Sequence, residues 1–290
     1  MRLCRFDQSR LGLVRGDRVT DVTDVLAALP ACRYPLPADD MLIAQLDTLR
    51  PAIEKAAASA KTFALSEVRL ESPVANPGKI IAAPVNYKRH LDEARADPQI
   101  HHQNQIAEIQ KVGLFLKATS SLIGASRTVE IRHPDRRCDH EIELAAVIGK
   151  TADRVSSATA LDYVAGYSIG LDMTVRGPEE RSLRKSIDTF TVLGPWMVTA
   201  DEIADPSALD MVLSVNGDVR QRANTRDLVI GIADLIAFAS SFYTLHPGDI
   251  LLTGTPEGVG PVQPGDVIRA DIQEIGGMSV NVRAISPKNN

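Results

Sequence analysis

The amino-acid sequence predicts an α+β fold that is rich in β-structure. Most apolar residues fall in short segments of alternating or continuous apolar character that end at turn residues. Only two stretches, residues 38–63 and 228–245, keep a helical period. A junction rich in proline and glycine, from Ser72 to Gly78, separates the first part of the chain from the rest. We therefore predict a small N-terminal α+β lobe over residues 1–73 and a larger, rolled or barrel-like β domain over residues 74–290.

The elements of the N-terminal lobe follow from two patterns. Residues 1–22 alternate between apolar and polar side chains around a turn at Gly16 and Asp17, which predicts a β-hairpin. Residues 38–63 have the helical period, and Pro51 is expected to break this stretch into two helices.

The larger domain contains several strand patterns. An Asn216-Gly217 turn predicts a hairpin, and residues 228–245 predict a helix. Residues 91–113 are polar and predict a long loop, a kind of segment that often acts as a lid. The other predicted strands cover residues 79–83, 141–149 and 163–172, and two more follow the turns at residues 247–249 and 264–266.

The composition excludes several classes of protein. The 290 residues carry a net charge of −5, with 44% hydrophobic and 24% charged residues, which is unlike disordered or fibrous chains. A mildly acidic chain argues against a nucleic-acid binder. There is no long apolar run and no secretory leader, and the three cysteines are too scattered for a disulfide framework. These features predict a cytoplasmic protein without membrane or nucleic-acid partners.

Acidic residues adjoin two of the predicted strands. Asp139, Glu141 and Glu143 alternate immediately before a continuous apolar run, and Asp172 ends another such run, in register with Thr174 and Arg176. Taken alone, each pattern fits an exposed strand face or a polar turn. Carboxylates at the ends of buried strands need a cation or protons, and hard oxygen ligands favour Mg²⁺, Mn²⁺ or Ca²⁺.

Three further segments carry chemically useful groups. If residues 90–93 are helical, Glu93 can orient His90 as a general base, although Asp92 is an alternative partner. Lys185 is a candidate for stabilising an oxyanion or enolate. The glycine-rich turn at residues 252–260 offers backbone amides and the Thr255 hydroxyl to a carboxylate. Each segment also fits a structural or solvated role.

Taken together and in this order, these segments resemble the fumarylacetoacetate hydrolase family over about residues 76–285. The branch that they resemble contains acylpyruvate hydrolases and 2-hydroxyhepta-2,4-diene-1,7-dioate isomerases. The motifs that carry the resemblance lie at residues 86–93, 115–117, 139–149, 172–176, 185–190, 194–196 and 252–260.

The resemblance implies a mixed β-roll, a homodimer, and a Mg²⁺ or Mn²⁺ ion (with Ca²⁺ possible in crystals). It implies cleavage of a C–C bond in a 2,4-dioxo acid during aromatic catabolism, through a metal-stabilised enolate and an activated water. The site residues that it implies are the metal ligands Glu141, Glu143 and Asp172, the catalytic His90, Glu93 and Lys185, and the substrate-binding Thr255, Arg176, Lys117 and Tyr87.

Two alternatives to hydrolysis stay open at this stage. In the first, the same site decarboxylates oxaloacetate-like acids or tautomerises 2-oxo diacids. In the second, the protein is a metal-stabilised scaffold without activity. The chain departs from the family pattern at Gly177, at Ile187 and over residues 94–111, which we expect to affect substrate choice and lid closure.

Overall fold

The computed structural model describes residues 1–101 and 109–285 of the chain. Over these residues, strands predominate, and the α+β prediction is confirmed. The strands are β1 Arg2–Phe6, β2 Arg10–Arg15, β3 Arg18–Asp21, β4 Thr62–Ala64, β5 Leu70–Glu71, β6 Ile80–Ala82, β7 Phe115–Lys117, β8 Leu122–Ile123, β9 Val129–Ile131, β10 Cys138–His140, β11 Ile142–Ile148, β12 Val164–Asp172, β13 Thr174–Val175, β14 Thr191–Thr199, β15 Asp210–Val215, β16 Asp218–Asn224, β17 Ile250–Leu252, β18 Gly260–Pro261, β19 Val267–Ile272 and β20 Gly276–Ala284.

Helices are few and mostly short in the described ranges. The α-helices are α1 Met41–Ala44, α2 Leu46–Ala57, α3 Lys88–Ala96, α4 Pro98–His101, α5 Ile109–Val112, α6 Arg181–Lys185 and α7 Ile232–Phe242. Short 3-10 helices cover Thr23–Ala28, Leu65–Glu67, Thr119–Ser121, Ala160–Tyr163, Ala200–Glu202, Pro206–Ala208 and Thr225–Asp227. Among the described residues, no helix combines the length and the apolar character that a membrane crossing requires.

The strands form three sheets within the described residues. The largest runs in the order β4-β3-β2-β1-β14-β12-β11-β17-β6-β7, with β5 beside β1 and β8 beside β14. A second sheet has the order β13-β10-β18, and a third has the order β16-β15-β19-β20-β9. The N-terminal strand β1 pairs directly with β14, so the first residues of the chain share a sheet with the larger domain. The boundary near residue 73 stays a prediction.

Strand β11 lies in the middle of the largest sheet and is buried on both faces. Leu144 and Ile148 pack into one hydrophobic cluster, and Ala145 and Val147 pack into the other. Burial on both faces explains why this segment is continuously apolar instead of alternating. The sequence therefore predicted the strand and its depth correctly.

Two predictions about helices were wrong. Pro51 does not break the helical stretch but lies inside α2, because this helix buries Leu46, Leu49 and Ile53, and that burial offsets the hydrogen bond that proline cannot make. The polar segment 91–113 is not one long loop, since its described parts include most of α3 and all of α4 and α5. Residues 102–108, within the predicted lid, lie outside the described residues.

Candidate active site

Three carboxylates converge where β11 begins and β12 ends. The antiparallel register places Glu143 opposite Gly170, and the Asp172 N–H donates to the Glu141 carbonyl at 2.9 Å. One side-chain oxygen from each of Glu141, Glu143 and Asp172 lies within 4.8 Å of the other two, and all three residues are buried. The backbone register of two strands therefore brings together the three predicted metal ligands.

The three carboxylates differ in how their charges are balanced. Glu141 accepts hydrogen bonds from Arg176 at 2.9 Å and Lys185 at 2.7 Å. Burial favours its protonated form, but these two cations hold the pKa of Glu141 below its usual range. Asp172 accepts from Lys117 and, at 2.7 Å, from Lys185.

Glu143 is the carboxylate without a cationic partner among the described residues. The donor that contacts it is the Gly254 N–H at 2.6 Å. Burial, and then the negative charges of Asp172 and Glu141, raise the pKa of Glu143 well above its usual value. A carboxylate in this position requires a proton or a cation. The donor set, made only of oxygens, fits a hard divalent cation such as Mg²⁺ or Mn²⁺.

Two buried lysines surround these carboxylates and have different roles in the structure. The Lys185 ammonium donates to Glu141, Asp172 and the Thr174 hydroxyl, each at 2.7 Å, and it lies at the surface of the pocket. Lys117 lies behind the site, where it contacts Asp172 and the carbonyls of Lys185 and Phe190. Complete burial lowers the pKa of Lys117 despite the nearby Asp172.

The predicted dyad forms on α3. His90 Nδ1 lies 2.9 Å from Glu93 Oε2, and the other oxygen of Glu93 accepts the Gly258 N–H at 3.0 Å. Asp92, the alternative partner, is exposed to solvent. Because an ionised carboxylate only accepts hydrogen bonds, Nδ1 is the donor to Glu93, and in the neutral imidazole this tautomer leaves the lone pair on Nε2.

The Thr255 hydroxyl is oriented by a residue that the sequence analysis missed. Buried Gln221, on β16, donates to Thr255 Oγ1 at 2.8 Å and to the Pro256 carbonyl at 2.9 Å. The Gln221 Oε1 lies 3.1 Å from both the Ile142 nitrogen and His140 Nδ1. Since Thr255 Oγ1 accepts from Gln221, its own O–H remains free to donate into the pocket.

These groups line a cavity of about 480 Å³. Of the predicted site residues, it brings together Glu141, Glu143, Asp172, His90, Lys185, Arg176 and Thr255. Its wall also includes Arg181, Arg184, Glu179, Glu180, Phe115 and Ile100, which the sequence analysis did not select. A larger groove of about 830 Å³, lined by the N-terminal lobe and residues 119–127, contains none of the carboxylate ligands.

Three predicted residues do not line this cavity. Glu93 acts on His90 from its far side, and Lys117 contacts Asp172 from behind the ligands. Tyr87 is buried in the hydrophobic core, where its hydroxyl lies 3.4 Å from the Met211 sulfur. The assignment of Tyr87 and Lys117 as substrate-binding residues stays a prediction that the lining of this cavity does not support.

Comparisons with known proteins agree with this geometry. The family model of the fumarylacetoacetate hydrolase C-terminal domain matches residues 79–283. A maleylpyruvate hydrolase of Aquipseudomonas alcaligenes is 58% identical over 98% of this chain and 100% of its own length. An oxaloacetate tautomerase of Xenopus laevis is 36% identical over 96% of this chain and 89% of its own.

A solved structure extends the comparison to ligands. The maleylpyruvate hydrolase of Sphingobium sp. SYK-6, in complex with manganese(II) and pyruvate, superposes with a TM-score of 0.83. It is 45% identical, and the match covers 99% of this chain and 100% of that one. The sequence motifs, the sheet arrangement and these matches together show that the chain belongs to the fumarylacetoacetate hydrolase family.

Proposed function

We propose that this protein is a divalent-metal-dependent hydrolase that cleaves a C–C bond in an acylpyruvate, with maleylpyruvate as its specific substrate. The observation that carries the proposal is one cavity that is lined by a buried carboxylate triad and by His90, which Glu93 contacts from behind. The 58% identity to a maleylpyruvate hydrolase supports this choice of substrate.

In this proposal Glu141, Glu143 and Asp172 hold Mn²⁺ or Mg²⁺. When bound, the cation supplies Lewis-acid stabilisation of the negative charge that develops as the C–C bond breaks. The complex of the Sphingobium relative with manganese(II) and pyruvate supports a divalent cation and a pyruvate-binding pocket.

The protein's own groups carry the proton transfers. His90, oriented by Glu93, takes a proton from a water molecule through Nε2. The oxygen of that water bonds to the acyl carbonyl carbon, and the bond from this carbon to the pyruvate part breaks. The departing carbon takes up the proton that His90 removed from the water, so that His90 is restored and the products are pyruvate and a carboxylic acid. Lys185 offsets negative charge at the reacting end of the substrate, and the Thr255 hydroxyl donates to the substrate carboxylate.

Three broader features belong to the same proposal. We expect a homodimer and a place in the breakdown of aromatic compounds, which the family resemblance implies, and a cytoplasmic location, which the sequence features predict. An analytical ultracentrifugation measurement of the purified protein tests the dimer directly.

The experiment is an ultraviolet assay of maleylpyruvate with Mn²⁺, with Mg²⁺ and with a chelator. We expect the enol absorbance to fall and pyruvate to appear only when a metal is present. His90→Ala should reduce the rate by about 100-fold or more, the usual scale for loss of a general base, while Mn²⁺ affinity stays unchanged. Asp92→Ala, an exposed neighbour on the same helix, is the control and should keep full activity.

A second candidate function is tautomerisation of oxaloacetate, which the 36% identity to an oxaloacetate tautomerase supports. This reaction uses enolate stabilisation but no attacking water. Conversion of oxaloacetate without cleavage of maleylpyruvate would move the assignment to this class, and decarboxylation of oxaloacetate would be seen as CO₂ release. Metal binding without turnover of either acid would instead indicate a scaffold.

A further inference from the structure

Three arginines of the described chain line the cavity, and two of them already have protein partners. Arg176 donates to Asp139 at 2.7 Å and to Glu141 at 2.9 Å. Arg184 donates to the Glu179 carbonyl at 2.8 Å, and its other contact is the Val175 carbonyl. Both side chains therefore stabilise the wall of the pocket through bonds within the protein.

Arg181, the third arginine of the cavity wall, differs from the other two in its contacts. Its guanidinium makes no hydrogen bond or ion pair with any residue that the structure describes, although it is half-buried and lines the cavity. It packs over the ring of Phe115, with 5.4 Å between the guanidinium carbon and the ring centroid. Burial lowers the pKa of Arg181, which reflects the cost of removing a cation from water.

The carboxylates nearest to Arg181 in sequence are committed elsewhere. Glu179 pairs with Arg136 at 2.7 Å, and the Glu180 carboxylate accepts the Ser182 N–H at 2.6 Å at the start of α6. Glu141, Glu180 and Asp172 attract Arg181 electrostatically without forming an ion pair with it. Glu141 and Asp172 bond to Lys185, and a bound cation would offset their charge. Arg181 is thus a cation that faces the cavity and is suited to an anion supplied by a ligand.

The position of Arg181 on α6 indicates which part of a substrate it meets. Arg181 and Lys185 are four residues apart, so they lie on the same face of the helix, about 5–6 Å apart at their Cβ atoms. Lys185 touches the metal ligands, and Arg181 lies one turn further from the reacting end. Both cations lie 5.4 Å from the ring centroid of Phe115, so an acyl chain that runs from Lys185 across this ring would bring its far end to the Arg181 guanidinium.

We propose that Arg181 binds a carboxylate at the far end of the acyl group, so that the enzyme selects acylpyruvates with an anionic acyl part over neutral ones. This inference rests on the proposed function, because it assigns specificity within the same site. Arginine suits this role, since its planar fork pairs with a carboxylate through two hydrogen bonds.

The test compares maleylpyruvate with butanoylpyruvate, whose acyl group has the same number of carbons but no carboxylate. We expect Arg181→Gln to lower kcat/KM for maleylpyruvate by about 100-fold, mainly through KM, the scale for truncating one partner of a buried charge pair. The value for butanoylpyruvate should not change. Arg181→Lys should recover part of the loss, and Arg15→Gln, an exposed change of the same charge, should behave as wild type.

The possible outcomes separate this inference from the proposed function. An equal loss on both substrates, or no loss on either, would overturn the role of Arg181 while leaving the hydrolase assignment intact. If the wild-type protein cleaves neither acylpyruvate, the proposed function fails, and the inference fails with it. Activity of Arg181→Gln on butanoylpyruvate also reports that the variant is folded.

Discussion

Glu143 shows how one residue links metal binding to folding. Its carboxylate is buried beside Glu141 and Asp172 and, within the described chain, is contacted by one backbone N–H, whereas its two neighbours have cationic partners. The unfavourable environment of this side chain is what makes the site bind a cation. The same environment should make the metal-free protein less stable than it would be with a neutral residue at this position.

We therefore expect Glu143→Gln to stabilise the chelated protein at neutral pH and to abolish tight Mn²⁺ binding. The raised pKa of Glu143 means that the folded state keeps a proton which the unfolded chain releases at the ordinary glutamate pKa. The unfolding free energy of the metal-free wild type should consequently fall as pH rises through the interval between these two pKa values. The unfolding free energy of the Glu143→Gln variant should not show this decrease with pH. Thermal unfolding of both proteins in chelator across pH measures the difference, and parallel curves would contradict the prediction.

For single residues, the sequence predicted the site best where the position of a residue along a strand determines the direction of its side chain. Period-two alternation and buried strand ends made Glu141, Glu143 and Asp172 candidates together with Asp139, and the resemblance to the family then singled out these three as metal ligands. Tyr87 and Lys117 could not be placed, since their direction depends on tertiary packing around Met211 and Asp172. Arg181 had a readable signal, its spacing of four from Lys185, whereas Gln221 is a polar residue inside a strand and gave none.

Among the elements, the loop after β17 connects both halves of the site. The Gly254 N–H donates to Glu143, and the Gly258 N–H donates to Glu93, so one turn positions both the proposed metal ligand and the carboxylate that contacts His90. Gly254 has a φ of 106°, and a Cβ at this position would lie 2.6 Å from the Cβ of Asn86. Only glycine fits this turn without displacing Asn86.

Gly254→Ala should destabilise the protein by about 1–3 kcal/mol through backbone strain alone and should weaken Mn²⁺ binding as the N–H moves away from Glu143. Gly217→Ala is a matched control, because Gly217 has a φ of 90° and a Cβ added there would meet no atom within 4 Å. The control should show a strain penalty of about 1–2 kcal/mol and unchanged metal affinity. Chemical denaturation and Mn²⁺ titration measure both effects. Equal Mn²⁺ affinity in the two variants would argue against the inference that this turn positions Glu143 for metal binding.

Over the whole molecule, the N-terminal lobe and the catalytic residues share one sheet and one hydrophobic cluster. Leu3, Leu11 and Leu13 of the lobe pack in the same cluster as Ala145 and Val147 of β11, the strand that holds Glu143. The boundary predicted near residue 73 rests on proline and glycine in the sequence. The pairing of β1 with β14 could not, because it joins residues almost 200 positions apart and leaves no local pattern.

We accordingly expect the protein to unfold in a single calorimetric transition despite its two sequence regions. Adding Mn²⁺ should move the entire transition to higher temperature, by the equivalent of about 4 kcal/mol at a concentration 1,000 times the Kd. Chelator should reverse the shift. Two transitions, of which only one responds to Mn²⁺, would instead indicate that residues 1–73 fold independently.

The separation of the metal ligands from Arg181 has a consequence for how such enzymes diversify. The three carboxylates lie on or beside β11 and β12, in the buried centre of the largest sheet, whereas Arg181 lies on a five-residue helix at the cavity wall. If Arg181 selects the acyl group as proposed, a substitution at this one position changes the accepted acyl group without altering Lys185 on the same helix or the register of the strands that carry the carboxylates. A duplicated gene could therefore acquire a preference for a new acyl group through a substitution at the cavity wall while it keeps the three carboxylates and Lys185.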